Sequence, residues 1–369
     1  MRSIAVILGV AMALLAGPGR AAEPRHELSA KVAFKPVTHW GSLVRTSQGL
    51  GWAGPWGLQA LEGGEDIDLG EGRGVLVAAP RWILAADEAG HGGYFDPQMR
   101  GRIVVRSLDP ARRITGRPAK AVQAVGWPLS ATEQAGGRLG VVLWTKGLPL
   151  VQGRGHRMVL WSPTEGVVAS QDWRIGSMGD ATLSARPDGS WRMLSLLDSH
   201  GKAGEACGKG VDGVVLTTIG ADLKIVRRQY LCLPSKLGRV SIEAGAHGDW
   251  FVSARDSWSI RLFQVTEGPA GPSLKALLGT TGGRGGFYRP PFAVAADGTV
   301  YLARDRIDGW SLYRVAPDGA ADEFALTHAG CDGPPGKNAI LHLDTIDGVA
   351  HATLAAREPD GTCLNIWRL

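Results

Sequence analysis

The sequence predicts an all-β protein made of four-stranded antiparallel sheets that repeat along the chain. Glycine and tryptophan are abundant, with 53 and 13 of 369 residues, and long amphipathic helical segments are missing. A Gly-ended turn followed by an apolar strand recurs four times, at Gly189, Gly248, Gly298 and Gly348, with steps of 59, 50 and 50 residues. Glycine tolerates positive φ, and a preceding Asp can bond to nearby backbone, so each turn reverses the chain between antiparallel strands.

The first 22 residues are predicted to be a secretory signal peptide. Arg2 is followed by an apolar run from Ile4 to Ala16, which is shorter than the roughly 18 residues that a membrane helix needs. We expect cleavage after Ala21 or Ala22 and a periplasmic or secreted, monomeric protein without a membrane span. Removal of Arg2 and Arg20 lowers the formal charge from +5 to +3, and no basic run follows. Nucleic acid is therefore not an expected partner.

The first half of the chain is predicted to supply two or three sheets with less regular spacing. Strand-like segments lie at 72–93, 102–110, 138–147 and 157–163. The segment GVLVAAPRWILAAD (74–87) resembles the strand that carries the catalytic His of trypsin-like serine proteases. However, Asp87 stands at the His position, Gly140 stands at the Asp position, and the chain lacks Gly-Asp-Ser-Gly. An active protease is not expected, and a degenerate protease-like domain over residues 23–180 is an alternative.

The second half repeats a unit of about 50 residues. In its clearest copy the four strands are PFAVAA (291–296), TVYLARD (299–305), WSLYRV (310–315) and DEFALTH (322–328). Four antiparallel strands at this period are typical of a β-propeller blade. The segment 290–319 resembles a blade of the NHL and related bacterial β-propeller families. That resemblance implies the architecture and leaves the function open.

The ring is predicted to close through the N-terminal strand. About 348 residues remain after the leader, which at this step predicts seven blades, with six as the alternative. The chain ends at Leu369 on the third strand of a blade, so one strand is missing there. The segment ELSAKVAFKPV (27–37) alternates apolar and polar residues as a half-buried strand does. We predict that it completes the last blade, so that residues 23–369 form one propeller domain.

Four cysteines in an exported chain predict two disulfides, for which three pairings exist. The blade arrangement favours Cys207–Cys232 within an insertion and Cys331–Cys363 between neighbouring connections. The spacing CxxC is missing, so a structural zinc site is not expected.

An acidic residue ends each second strand of the repeat, at Asp198, Asp256, Asp305 and Glu358. Arg precedes three of these residues, as in Arg304-Asp305. A ring of acids could bind a ligand or a metal ion, but a residue that recurs in every copy more often serves the repeat. We therefore interpret the charged pair as structural.

Residues that differ between the repeats are better candidates for a binding site. The Gly-rich segment 280–291 holds Arg284, Tyr288 and Arg289 and suits contact with a sugar or a peptide. It is not a phosphate-binding loop, because a strand follows it and no Lys-Ser/Thr pair ends it. We predict ligand-binding roles for Arg284, Tyr288, Arg289, Asp305 and His91.

The remaining conspicuous side chains are interpreted as structural. His342 and His351 could approach each other across one predicted hairpin without an adjacent acid, and we interpret them as surface or packing residues. Five tryptophans recur near repeat positions and are predicted to pack between blades, namely Trp173, Trp191, Trp250, Trp258 and Trp310.

The sequence thus favours a non-catalytic propeller that binds a protein, peptide or glycan at its channel face, without a cofactor. No recognisable catalytic constellation is present in the sequence. The alternative is a hydrolase or lactonase that holds a divalent metal ion in the central channel. Such a site would need acidic and amide side chains from several blades, and sequence alone does not reveal which side chains converge.

Overall fold

The computed structural model describes residues 24–32, 41–54, 57–64, 66–68, 73–79, 82–87, 102–107, 127–145, 155–173, 181–197, 206–208, 211–234, 239–245, 249–255, 259–281, 292–306, 309–326, 339–358 and 361–369. Within these ranges the chain forms 27 β-strands, which assemble into seven antiparallel sheets. We name the sheets blades 1 to 7 in chain order.

The first three blades come from the less regular half of the sequence. Blade 1 contains β2 (Ser42–Thr46), β3 (Gly49–Gly54), β4 (Gly57–Ala60) and β5 (Ile67–Asp68). Blade 2 contains β6 (Arg73–Ala79), β7 (Trp82–Asp87) and β8 (Arg102–Ser107). Blade 3 contains β9 (Trp127–Glu133), β10 (Leu139–Thr145), β11 (Gly155–Ser162) and β12 (Gly166–Trp173).

The other four blades follow the repeat. Blade 4 contains β13 (Ala181–Ala185), β14 (Trp191–Leu197), β15 (Gly213–Ile219) and β16 (Ile225–Cys232). Blade 5 contains β17 (Arg239–Ala244), β18 (Trp250–Arg255), β19 (Ser259–Gly268) and β20 (Gly271–Thr281). Blade 6 contains β21 (Phe292–Val294), β22 (Val300–Arg306), β23 (Gly309–Val315) and β24 (Ala321–Ala325). Blade 7 contains β25 (Ile340–Ile346), β26 (Val349–Glu358), β27 (Gly361–Arg368) and β1 (Arg25–Val32).

The blades close into a ring, so the fold is a β-propeller, as predicted. Neighbouring blades contact each other in chain order, and β25 of blade 7 contacts β2 of blade 1. Six sheets have four strands, and blade 2 has three strands in the part of the chain that the structure describes. The segment 74–87 supplies β6 and β7, which pair with each other, and β6 contacts strands of blades 1 and 3.

The N-terminal strand completes blade 7, as predicted. β1 pairs antiparallel with β27 from Arg25 opposite Arg368 to Val32 opposite Thr362. The alternating pattern starts only at Leu28, because the register shifts between His26 and Leu28 and leaves Glu27 in a β-bulge. The leader and its cleavage position lie outside the described residues.

The Gly-ended turns join the first and second strands of the repeat blades. Gly189, Gly298 and Gly348 have φ of 81°, 84° and 77°, which favours glycine at these positions. The Asp297 carboxylate accepts the backbone N–H of Thr299 at 2.9 Å, as an Asp in a turn is expected to do. The fourth turn, at Gly248, lies outside the described residues.

Side chains of the inner strands form hydrogen bonds with the backbone of a neighbouring blade. Leu183 of blade 4 donates its N–H to Ser130 Oγ of blade 3 at 3.1 Å and accepts a hydrogen bond from Thr132 Oγ1 at 2.9 Å. Thr345 of blade 7 donates to the carbonyl of Val294 in blade 6 at 3.0 Å. These bonds satisfy backbone groups that the innermost strand of an antiparallel sheet would leave unpaired.

Tryptophans pack between the blades, as predicted, at the four of the five positions that the structure describes, with Trp310 against the apolar cluster shared by blades 6 and 7. Trp173 and Trp191 lie in one apolar cluster shared by blades 3 and 4, and Trp250 lies in a cluster shared by blades 4 and 5. Trp310 is partly buried and donates its indole N–H to the carbonyl of Ala339 at 3.0 Å. Trp258 lies outside the described residues.

The predicted disulfide Cys207–Cys232 is present, with its Cα atoms 5.3 Å apart. Cys363 is also disulfide-bonded, but Cys331 lies outside the described residues, so their pairing stays a prediction. A disulfide fits a protein of an oxidising compartment such as the periplasm or the exterior. None of the helices in the described ranges has the length and hydropathy needed to cross a membrane.

Candidate functional site

The two faces of the ring differ in the length of their connections. First and second strands, and third and fourth strands, are joined by connections of at most six residues in the described blades. We name this side the turn face. The opposite side, which we name the loop face, receives the connections between second and third strands and from each complete blade to the next. The connections of nine or more residues on this side are 33–41, 88–101, 146–154, 198–212, 282–291 and 326–339.

Four of the five predicted ligand residues belong to connections that begin and end on the loop face, and Asp305 lies near the end of β22 on that side. Arg284, Tyr288 and Arg289 belong to the connection between β20 and β21, and His91 belongs to the connection between β7 and β8. These four residues lie outside the described residues. Asp305 is the penultimate residue of β22, and its backbone pairs with Trp310. The structure thus leaves their binding roles as predictions.

Arg304 forms a polar contact within blade 6 beside blade 5. Its Nη1 donates to Tyr313 Oη at 2.7 Å and lies 3.3 Å from both carboxylate oxygens of Glu323. Glu323 also accepts the hydroxyl of Ser311 at 2.6 Å. Tyr313 belongs to the apolar cluster that joins blades 5 and 6. This arrangement supports the structural interpretation of Arg304.

Of the four repeated acids, Glu358 is the one whose side chain the structure describes. Its carboxylate lies 3.1 Å from Lys31 Nζ, which links the end of β26 to the N-terminal strand. Asp198 and Asp256 lie outside the described residues. Within the described ranges, no three His, Cys, Asp or Glu side chains are grouped so as to hold a metal ion.

Asp344, which the sequence reasoning missed, lies on the inner strand β25 at the junction with blade 1. Its Oδ2 accepts the backbone N–H of Leu43 at 3.0 Å, and the Ser42 side chain also bonds to it. Burial raises the pKa of Asp344 to about 7, and these two hydrogen bonds act in the opposite direction. The carboxyl group therefore changes its charge near neutral pH. The sequence does place Asp344 on a predicted inner strand. Both faces of such a strand are covered by neighbouring blades in a propeller, so an acid there is expected to be at least partly buried.

His351 lies opposite Asp344 on β26 and bonds to the N-terminal strand. Its Nδ1 is 3.0 Å from the carbonyl oxygen of Val349, and its Nε2 is 3.2 Å from Glu27 Oε2. Both neighbours are acceptors, whereas a neutral imidazole has a single N–H donor. Burial lowers the pKa of His351, while the Val349 carbonyl and the charge of Glu27 raise it. A neutral ring can therefore donate to only one of these two acceptors, whereas a protonated ring could donate to both.

His342 is buried on the same face of blade 7 and packs edge-on against Trp52 of blade 1, with ring centres 5.0 Å apart. Of the two interpretations that the sequence left open for His342 and His351, surface or packing, their burial supports packing. Both interpretations missed their polar surroundings, because Glu27 is 324 residues from His351 in sequence and a bulge sets its direction.

Comparisons with known proteins give likeness in structure alone. No protein-family model and no curated protein sequence matches the chain. The periplasmic gluconolactonase of Pseudomonas aeruginosa is 16% identical, with 87% of this chain and 93% of that chain covered and a TM-score of 0.45. A Trypanosoma rangeli sialidase is 9% identical, with 93% and 60% covered and a TM-score of 0.45.

A puromycin hydrolase is 17% identical, with 78% of this chain covered and a TM-score of 0.44. The match covers 45% of the hydrolase, so this chain corresponds to less than half of that protein's length. These identities and TM-scores are too low to transfer a substrate or an activity. The resemblance of blade 6 to NHL repeats likewise remains one of blade architecture.

Proposed function

We propose that the protein is an exported, monomeric propeller that binds a protein, peptide or glycan on its loop face without transforming it. The observation that supports this proposal is the difference between the two faces. Every connection longer than six residues that joins two fully described blades, or two strands within one blade, starts and ends on the loop face. Loops carried on a rigid β scaffold are where binding residues concentrate. Arg and Tyr side chains are also the types most often dominant in binding surfaces.

The test uses the mature protein on arrays of synthetic peptides and of oligosaccharides. We expect one array to capture it, and a triple variant Arg284→Ala, Tyr288→Ala, Arg289→Ala to lose at least about tenfold in affinity. The matched control is the pair Asp222→Ala and Lys224→Ala in an exposed connection of the turn face. Equal loss in both variants, or no capture of the parent protein, would contradict binding on the loop face.

The metal-dependent hydrolase is the alternative outcome, with a divalent ion in the channel. It predicts stoichiometric metal in the purified protein, a higher Tm with Ca²⁺, and loss of both effects in Asp305→Asn. A protein free of metal and unaffected by Ca²⁺, which also fails to cleave the molecule it captures, would support the binding role.

A further inference from the structure

Buried polar atoms without a partner are concentrated at one junction of the ring. Among the described residues, His156 Nδ1 and Nε2, Trp173 Nε1, Ser195 Oγ and Thr217 Oγ1 are buried and accept or donate no hydrogen bond within the protein. His156, Ser195 and Thr217 are fully buried, and Trp173 is 5% exposed. We name these four residues the interblade polar cluster.

All four side chains belong to the junction of blades 3 and 4. His156 is paired with Trp173 across β11 and β12, and Trp173 packs in the apolar cluster shared by the two blades. On blade 4, Met193 belongs to that same apolar cluster. Thr217 is paired with Met193, and Ser195 follows two residues later on the same face of β14. The two blades therefore direct these polar groups into one shared interior.

Such groups are costly unless something bonds to them. An unsatisfied buried donor or acceptor costs about 1–3 kcal/mol, and native proteins satisfy nearly all of them with protein or ordered water. Ser253 Oγ and Trp250 Nε1 of blade 5 and Thr353 Oγ1 of blade 7 are also buried without a partner among the described residues. The interblade polar cluster is larger, because it combines five such atoms from the facing sides of blades 3 and 4.

The chemistry of the cluster selects a neutral ligand that both donates and accepts. Burial and, to a smaller extent, the positive charge of Arg228 lower the pKa of His156 to about 4, so its imidazole is uncharged at neutral pH and presents one donor and one acceptor. Two hydroxyls and an indole N–H complete the set. A hydroxyl group matches it, because it donates one hydrogen bond and accepts two.

We propose that the interblade polar cluster binds a neutral hydroxyl ligand between blades 3 and 4, either water or a hydroxyl group of a sugar. The proposal is independent of the loop-face function, because it concerns a buried junction and not the exposed connections. A bound water would hydrogen-bond to the cluster and be a permanent part of the structure. A sugar hydroxyl would make it a ligand subsite.

A crystal structure of the wild-type protein, grown without glycerol, tests occupancy directly. We expect a density peak within about 3.2 Å of a His156 ring nitrogen and of Ser195 Oγ or Thr217 Oγ1. A second crystal soaked in glucose distinguishes the two sources, since a sugar would replace the water peak. A dry cluster, or side chains that have turned to bond one another, would overturn the proposal.

A pair of matched serine variants tests the same point in solution. Ser195→Ala should lower Tm by about 1–3 °C, because it removes one hydrogen-bond partner of the bound hydroxyl ligand. Ser253→Ala removes an unpartnered hydroxyl outside the cluster and should leave Tm unchanged or raise it. If both variants shift Tm equally, the cluster holds no ligand. Glucose should raise the Tm of the wild type but not of His156→Phe if the ligand is a sugar, and should change neither if it is water.

Discussion

The junction of blades 7 and 1 and the junction of blades 3 and 4 both bury a histidine, but they hold it in different ways. His351 lies between two acceptors, one of them Glu27 from the strand that closes the ring. His156 has no partner in the described protein and lies beside a tightly packed apolar cluster. Both junctions also hold an apolar cluster, so the difference between them lies in whether the buried histidine has hydrogen-bond partners.

The packing at the junction of blades 3 and 4 is itself uneven. Gly140 lies against Trp191 and Leu183 with no room for a Cβ atom. The interblade polar cluster occupies another part of the same junction. The proposed binding of a hydroxyl ligand therefore concerns the polar part of the junction, while the close contact at Gly140 holds the two blades together in the other part.

The largest expected effect concerns ring closure. Val32→Asp places a charge at a position of β1 that is 2% exposed and packed against Leu364 and Ile366. We expect the free energy of unfolding to fall by at least about 3 kcal/mol, because a buried charge without a partner is costly. Arg25→Asp, at an exposed position of the same strand, is the control for urea denaturation. A small effect of Val32→Asp would show that the ring is stable without its closing strand.

The next prediction addresses the tight part of the junction between blades 3 and 4. Gly140→Ala would place a Cβ 2.5 and 2.7 Å from ring carbons of Trp191 and 3.0 Å from Leu183 Cδ2. Since Trp191 is buried, we expect overpacking to cost about 1–3 kcal/mol in urea denaturation. Gly279→Ala is the control, since no atom lies within 4 Å of its added Cβ. Equal stability of the two variants would mean that the blades can separate slightly without cost.

Much of the ring could be predicted from the sequence because blades are local. The Asp-Gly turn at Gly298 and the strands on either side of it lie within about 25 residues. Their pattern can therefore be recognised within one short segment of the sequence. The strand pairing of the segment near residue 27 with the last blade could also be predicted from its alternating pattern, and it is confirmed for β1, Arg25–Val32. The blades of the less regular first half are harder to predict from the sequence, since blade 2 has no Gly-ended turn of this kind.

The polar contacts between blades could not be predicted in the same way. His351 and Glu27 meet through a bulge, and the periodic pattern of β1 gives no sign of it. His156 and Ser195 come from different blades at positions that do not match within the repeat. Side chains of this kind become neighbours through the packing of sheets, which no local pattern encodes. The predicted ligand residues in 282–290 and His91 lie outside the described residues, so they remain predictions.

The third prediction concerns Asp344 and the pH dependence of stability. Its pKa is raised from 3.8 to about 7, so the folded state binds more protons than the unfolded state between these values. Stability from this group is therefore full at low pH and is lost as pH rises toward neutral. Asp344→Asn cannot ionise but can still accept the N–H of Leu43. We expect it to match the wild type at pH 4 and to exceed it by about 1–3 kcal/mol at pH 8, since its side chain is partly accessible and water screens part of the effect.

The control for Asp344→Asn is Asp318→Asn, since Asp318 is exposed and also accepts a backbone N–H, that of Ala320 at 2.9 Å. This variant should follow the wild type at both pH values in urea denaturation. A gain at pH 8 in Asp318→Asn as large as in Asp344→Asn would assign the effect to net charge rather than to burial at the inner strand.

The smallest expected effect concerns the contact between Glu27 and His351. The charge of Glu27 raises the pKa of His351 against the effect of burial, so Glu27→Gln should lower that pKa further. A His whose pKa is depressed by folding contributes stability above its unfolded pKa, and this contribution is lost as pH falls through the folded value. Glu27→Gln should therefore equal the wild type at pH 8 and be less stable by about 1 kcal/mol at pH 5.

Glu62→Gln, which alters an acid that accepts the N–H of Leu50, is the control and should show no such difference between the two pH values. An NMR titration of the His351 ring decides the cause, because a midpoint that stays or rises in Glu27→Gln would mean that the bulge positions Glu27 for packing and not for its charge.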